Sequence, residues 1–549
     1  MADAKQLELV DPDAVIAAAA LSAVEQRRLA NGTVSCEEFK KPPVDVSLAK
    51  VRLVLNTDIT TEQHRETIIK PDERWRLQDE IRQHLDGLTV VGQTVRLASE
   101  PVDTESLNAI DIRPPAVRVL NEWQEPVDID SPSDFSFDAL KERARSRMQC
   151  VKRNGFLRSM DINLALAWPT KLSGSRASRM QRDLNYMLKK RNIKYEFKLV
   201  RYGNVEDLRK KLADSGHDAV LVVLPEHSSQ SGRPNDTHEQ LKKRLEIPSK
   251  CIHQDNTLPE DLARIRVRDL DEQGTKAFNQ VKQKYRLTLD HLLVKHGWIP
   301  FEPAEPFHFN VHVGLDVGGR RNDTVVACMG YGFGNPKQEL TFFTQQIHVE
   351  KGKAEPIPTD SLFSGLLQLF EHAHTEANAT GLELDYESVL FIRDGAMLGA
   401  GDYWNEHDAL NRLRTKLISG ELASDASRWG VAEIHKRAEE WRLFDKADNA
   451  VKNPLVGRCI YDFQRPNEGL LTTTGRPYLS HGTAQVLKVA TSSIAGECTF
   501  QEIIQDVAWE ADMGFTRPDM GRGLPWVLHG ADSGALHASR GYKLIGLMG

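Results

Sequence analysis

The sequence predicts an α/β protein: two successive α/β units behind a smaller α+β N-terminal segment. Three observations predict it. Between about 160 and 225, apolar strand-like runs alternate with amphipathic helical stretches, the mark of a parallel, doubly wound sheet. From 308 onward, three strands, a helix and a further strand follow in the order β-β-β-α-β. The first 110 residues mix short alternating strands with isolated helical stretches and carry no comparable alternation.

Taken in order, residues 1–110 open with a helix over 13–29 and a turn at Asn31-Gly32. Short strands at 51–55 and 88–97 flank a polar helix near 72–86. Pro114-Pro115 and the Pro/Asp-rich stretch 126–133 mark 111–158 as a linker. The first α/β unit, 159–303, has strand 162–167, helix 175–191, strand 194–200, helix 204–214 and the β-branched strand 219–224. In such sheets ligands gather outside the carboxyl ends of the strands, here near 225–229. Helices over 236–246 and 275–296 follow, and Pro300, Pro303 and Pro306 mark a hinge. The second unit, 304–549, begins with strands 308–316, 324–331 and 339–348, then helix 359–378 and strand 388–392.

Composition narrows the function classes. The chain has 549 residues, 40% hydrophobic and 27% charged, which is ordinary for a globular protein of several domains. No apolar run approaches the ~18 residues of a membrane span. The apolar stretch 14–20 follows Asp11 and Asp13 rather than a basic region, so it is not read as a secretory signal. Cysteines 36, 150, 251, 328, 459 and 498 form no C-x-x-C pair, which speaks against zinc or disulfide frameworks and for a reducing cytoplasm. The net charge of −7 seemingly disfavours nucleic acid, but it is unevenly spread. Residues 1–140 carry 15 Lys+Arg against 26 Asp+Glu, whereas 141–210 carry 19 against 6. A basic block inside an acidic chain is the footprint of an anion-binding region.

Two acids close apolar strands in the second unit. Asp316 ends V-H-V-G-L-D, and Asp394 ends the strand of V-L-F-I-R-D-G. The β-β-β-α-β order is the front half of an RNase H-like fold, whose sheet presents acids on adjacent strands for phosphodiester cleavage. Such chemistry needs hard oxygen ligands for Mg²⁺ or Mn²⁺ and several carboxylates to hold two ions.

From about 160 to the C-terminus the chain resembles the MID and PIWI domains of Argonaute proteins. The words that carry the resemblance run in the family's order: L-V-V-L-P (221–225), I-P-S-K-C-I (247–252), L-L-V-K-H-G (292–297), V-G-L-D-V (313–317) and I-R-D-G (392–395). H-K-R (435–437) with R-L-F (442–444), N-P-L-V-G (453–457), H-G-T-A-Q (481–485) and G-L-P…H-G-A-D (523–532) follow. The resemblance implies a Rossmann-like MID domain followed by an RNase H-like PIWI domain. It implies a D-E-D-X catalytic tetrad of Asp316, Glu355, Asp394 and Asp532, with Glu350 and His529 as rivals for the second and fourth places. Asp316, Asp394 and Asp532 would be the metal ligands.

The same resemblance places the 5′-phosphate of a guide strand in the first unit. His238 and Lys242, at i and i+4 of one helix, face the same way. Lys295 matches the distal lysine, and Lys250 stands where the family writes Gln, with Gln254 nearby but out of frame. The loop 225–233 would touch the first guide base, and the carboxylate of Gly549 would lie near the guide's 5′ end. Basic residues of 141–210 would follow the guide's phosphates. The implied partners are guide DNA or RNA and complementary target DNA or RNA. The roughly 155 residues before the MID-like unit cannot hold both an N and a PAZ domain, so the expected architecture is a short, PAZ-less prokaryotic Argonaute. Short forms usually have broken tetrads and work with an effector protein, so two functions follow. One is a guide-directed endonuclease in defence against plasmids or phage. The other is a non-cleaving, guide-dependent recognition subunit that activates an effector.

Overall fold

The computed structural model describes residues 4–6, 33–36, 44–47, 52–54, 68–86, 89–90, 93–94, 107–189, 194–230, 236–318, 324–335, 338–349, 356–379, 381–399, 403–436, 441–447, 450–462, 464–479 and 481–545. The chain divides into two compact units, Met1–Ile69 and Lys70–Gly549. In the first, Ala4–Gln6 pairs antiparallel with Arg52–Val54, and Thr33–Cys36 with Val44–Ser47. The helix expected over 13–29 lies outside the described residues.

The second unit opens with helix α1 (Pro71–Leu85), which has proline in its first turn, Asp72 and Glu73 beside it, and Arg82 and His84 in the last turn. That arrangement complements the helix dipole at both ends. Strand β1 (Asn108–Asp111) leads into the stretch read as a linker, which contains the hairpin β2 (Val117–Leu120) and β3 (Pro126–Ile129) and helix α2 (Phe137–Asn154). Ser136 caps α2 by accepting from the Ala139 amide at 3.2 Å. Its inward face carries Leu140, Arg143, Ala144, Arg147 and Val151. Two arginines on a buried face need a counter-charge, and Asp512 supplies it, 2.8 Å from Arg143 and 2.6 Å from Arg147.

The parallel sheet follows: β4 (Ile162–Pro169), α3 (Gly174–Lys189), β5 (Tyr195–Tyr202), α4 (Val205–Asp214), β6 (Ala219–Leu224), α5 (Thr237–Arg244), β7 (Ser249–His253) and α6 (Glu272–Lys295). The strand order is β5-β4-β6-β7, all parallel. Every residue of β6 is buried, as a strand covered on both faces must be.

A nine-stranded mixed sheet forms the larger layer. Its elements are β8 (Val311–Gly318), β9 (Thr324–Tyr331), β10 (Thr341–His348), α7 (Thr359–Ala379), β11 (Ser388–Asp394), α8 (Glu406–Ser419), β12 (Arg428–His435), β13 (Arg458–Asp462), β14 (Arg465–Leu471), β15 (Leu487–Ala495), α9 (Phe500–Asp512) and α10 (Trp526–Ser539). The order across the sheet is β10-β9-β8-β11-β12-β15-β14-β13-β1. Side chains alternate along each strand. Val311, Val313 and Leu315 therefore pack with Leu362, Leu366 and Leu410 of α7 and α8. Gly314, Asp316 and Gly318 face α10, which lies directly on the backbone there. A Cβ at Gly314 would sit 2.3 Å from the Val527 carbonyl carbon, so only glycine admits the helix.

Beneath that contact, His312 is fully buried between two acids of α9. Its Nδ1 meets Glu510 and its Nε2 lies 3.4 Å from Asp506. Burial opposes the imidazolium, but the two carboxylates outweigh it and push the pKa up to about 9. Asp506 also accepts from the His308 and Phe309 amides, and Glu510 from Val527. The network thereby locks the start of β8 and the start of α10 to one helix.

Candidate active site and nucleic-acid interface

Three strand ends and one helix build the carboxylate site. In the parallel pair of β8 and β11, Leu315 is opposite Arg393, so the next residues, Asp316 and Asp394, leave the sheet side by side on the α10 face. Helix α10 lowers Asp532 onto them. Lys436, just past β12, reaches back into the middle. Its ammonium nitrogen lies 3.2 Å from Asp316 Oδ2, 2.9 Å from Asp394 Oδ2 and 2.7 Å from Asp532 Oδ1. Asp316 is nearly buried and Asp532 is 43% exposed, so the cluster opens on the α10 side. Burial drives the Asp316 pKa up, helped by the two neighbouring aspartates and only partly offset by Lys436. Burial acts the same way on Asp532, but its direct bond to Lys436 leaves its pKa lowered.

A donor set of three carboxylates converging on one cationic centre suits a hard divalent ion. Among the described residues no three His, Cys, Asp or Glu side chains are already gathered as a metal cage. The aspartates are instead gathered around an ammonium. Glu355 and its rival Glu350 lie outside the described residues. Among the described residues that follow, buried Glu406 accepts from the Ile357 amide at 2.8 Å and lies 3.5 Å from Arg393, the neighbour of Asp394. His529, the other rival, bonds Arg522 at 2.6 Å and lies within electrostatic reach of Asp532 and Lys436.

The second site is cationic. His238 and Lys242 of α5, Lys250 of β7 and Lys295 at the end of α6 are mutually within electrostatic reach beside the free edge of the parallel sheet. Lys242 Nζ donates to the Ser249 carbonyl at 2.9 Å. Burial, then the neighbouring lysines, lowers Lys250 and pushes Lys295 down to about 7. Groups whose charge is suppressed by like neighbours gain most from a bound anion. The cations gather along β7, and several polar groups at 225–229 are engaged in internal bonds. Ser228 donates to Asp255, Thr237 to Glu226 and Gln254 to the Pro225 carbonyl. Residues 231–235 and Gly549 lie outside the described residues. The tail reaches the site nonetheless, since the Lys543 amide donates to the Lys242 carbonyl and Leu544 lines a cavity of about 310 Å³ beside Lys295.

Sequence reasoning missed several residues. His537 and Arg540 of α10 join the cationic group, and burial beside these cations takes His537 down to about 4. Arg522, over the Trp526 ring at 5.0 Å, lies between Lys250 and His529 in influence and continues the positive strip toward Asp532. Lys436 stands in the H-K-R word, whose spacing alone assigns it no role. The basic block 141–210 is in part paired internally. Arg143 and Arg147 pair with Asp512, Arg158 with Glu302, Arg179 with Asp183, Lys198 with Glu196 and Arg209 with Glu206, so part of its charge is met within the fold.

Comparison with solved structures shows an Argonaute fold. The chain is similar to Clostridium butyricum Argonaute bound to a guide DNA (5′ deoxycytidine) and a 19-mer target DNA, with a TM-score of 0.61 and 12% identity. The match covers 94% of this chain and 66% of that one. No family model and no curated protein matches the chain. Among the described residues no helix is long and apolar enough to cross a membrane.

Proposed function

We propose that the chain is a guide-directed nucleic-acid endonuclease. The observation that carries the reading is the convergence of Asp316, Asp394 and Asp532 on one point. The cationic cluster supports the guide half of it: Lys242, Lys250 and Lys295, with His238 and the carboxylate of Gly549 near, would hold a guide's 5′-phosphate. The likeness to a protein solved with guide and target DNA makes DNA the first nucleic acid to test for both strands. The cytoplasm and defence against plasmids or phage form the biological setting of this proposal.

Asp316, Asp394 and Asp532 would hold Mg²⁺ or Mn²⁺, and Glu355 would complete the set. Bound there, a pair of ions supplies an activated water and steadies charge on the attacking and leaving oxygens. The strands β8 and β11 fix two of the carboxylates rigidly, and the Glu406–Arg393 pair holds the Ile357 amide. Water adds to the target phosphorus as the bond to the 3′ oxygen breaks, leaving a 3′-hydroxyl and a 5′-phosphate.

One observation favours a second reading. Lys436 fills the centre of the carboxylates, as suits a guide-dependent recognition subunit that binds target without cutting and signals to an effector protein. Purified protein, a 5′-phosphorylated guide, a labelled complementary target and Mn²⁺ separate the two. A single cut opposite guide positions near 10 and 11 supports the nuclease. Target binding without product supports the recognition subunit.

A further inference from the structure

We propose that Lys436 is a built-in counter-cation: its ammonium holds the three aspartates together in the metal-free protein, and divalent metal loads by displacing it. This rests on the reading of Asp316, Asp394 and Asp532 as metal ligands.

The register of the sheet places the lysine. β12 runs parallel to β11 with Ile434 opposite Asp394. Lys436 is two residues further on, hence on the same face and one step beyond the aspartate. From there its flexible stem carries the ammonium back across β11 to Asp316, and α10 brings Asp532 to it from above. The three contacts span 2.7–3.2 Å, so the nitrogen sits at the common focus and not beside it.

Two cations cannot share that focus. A Mg²⁺ ion takes oxygen ligands at about 2.0–2.1 Å. Bound to the same oxygens, it would lie close enough to the ammonium for strong like-charge repulsion in a site this little exposed. The Lys436 side chain is 20% exposed, and that of Asp532 on the open side is 43% exposed, so the way out leads past α10. One ammonium leaves most of the charge of three carboxylates uncompensated, whereas divalent ions neutralise it more fully. The exchange therefore runs forward once metal is abundant, and the released ammonium becomes available to a phosphate of the nucleic acid.

The test is equilibrium Mn²⁺ binding to the full-length, guide-free chain, read from the free-ion EPR signal. Lys436→Met should bind Mn²⁺ more tightly than wild type by about tenfold or more, the direction set by removing a close like charge. Lys436→Arg, which keeps the charge, should show no such gain. Should Lys436→Met fail to fold, Lys436→Gln is measured in its place with the same expectation. Equal or weaker Mn²⁺ affinity in the neutral variant overturns the displacement while leaving the metal-nuclease reading standing. Absence of Mn²⁺ binding in wild type and neutral variant alike overturns both.

Discussion

The carboxylate site and the cationic site of the larger unit both concentrate charge of one sign, yet they treat it differently. At the carboxylates the chain supplies its own opposite charge: Lys436 touches all three aspartates. At the edge of the parallel sheet the lysines repel one another, and burial plus that repulsion brings Lys295 down to about 7. The acid acting on His238 there is Asp236, already occupied capping α5. One site holds a partial internal counter-charge that a stronger cation would displace; the other sets lysines against one another until an anion arrives. A buried cluster of like charge persists only where a ligand relieves it. The buried Asp512 pair of arginines shows what this fold does when no ligand is intended, since there both charges are met internally.

The largest expected effect breaks the acidic side. Asp394→Asn should lower cleavage of a guide-paired target by roughly 10³-fold or more, the order lost when a charge-stabilising group leaves an active site. Guide affinity should not change, because Asp394 lies outside the cationic cluster. Single-turnover cleavage beside filter binding checks both, and equal cutting by the variant would refute the assignment. Next in size, Lys295→Ala should weaken a 5′-phosphorylated guide by about 10–100-fold, the worth of one charge-assisted bond. A 5′-hydroxyl guide should bind wild type and variant alike.

Much of this was legible beforehand, and the rest was not for physical reasons. Asp316 and Asp394 could be read because each ends an apolar run, a local signal. Asp532 followed from its place behind Leu524-Pro525. Lys436 could not be assigned a role, because its position arises from pairing between β11 and β12, a register no local pattern encodes. Helix α2 escaped because two of its five buried residues are arginines, which erases the apolar periodicity a helix is read by. Those same arginines inflated the basic block, so charge assigned to guide phosphates is partly the counter-charge of Asp512. The ligand position at 225–229 was inferred from a rule about strand ends. That rule says nothing of the cations, which gather along the edge strand where α5 and α6 reach it.

A smaller effect tests whether the basic site is truly uncompensated. Folding lowers the Lys295 pKa from the usual 10.5 to about 7, so the unfolded chain binds this proton more readily. Its contribution to the guide-free protein is therefore a loss of stability as pH falls from above 10 to about 7. A bound phosphate reverses the preference, so Lys295 takes up the proton as the anion binds. Guide affinity should then rise about tenfold as pH drops from ~8.5 to ~6.5, the interval over which free Lys295 becomes charged. Calorimetry in buffers of different ionisation enthalpy should register the proton uptake, and Lys295→Arg, always charged, should flatten the dependence.

The smallest effect concerns the residue contributed by the other sheet's helix. His537 of α10 is half-buried near Lys295, Lys242 and Arg540, and its pKa of about 4 keeps it neutral near pH 7 in the free protein. A neutral imidazole can donate one ordinary hydrogen bond to a phosphate, worth ~1 kcal/mol. His537→Ala should therefore weaken the phosphorylated guide by only about fivefold. Being a loss of a neutral donor, it should leave the salt dependence of binding unchanged, whereas Lys295→Ala should reduce the slope. A loss as large as that of Lys295, with a matching fall in salt slope, would mean that the phosphate charges the histidine on arrival. The basic site would then hold one more latent cation than the guide-free protein displays.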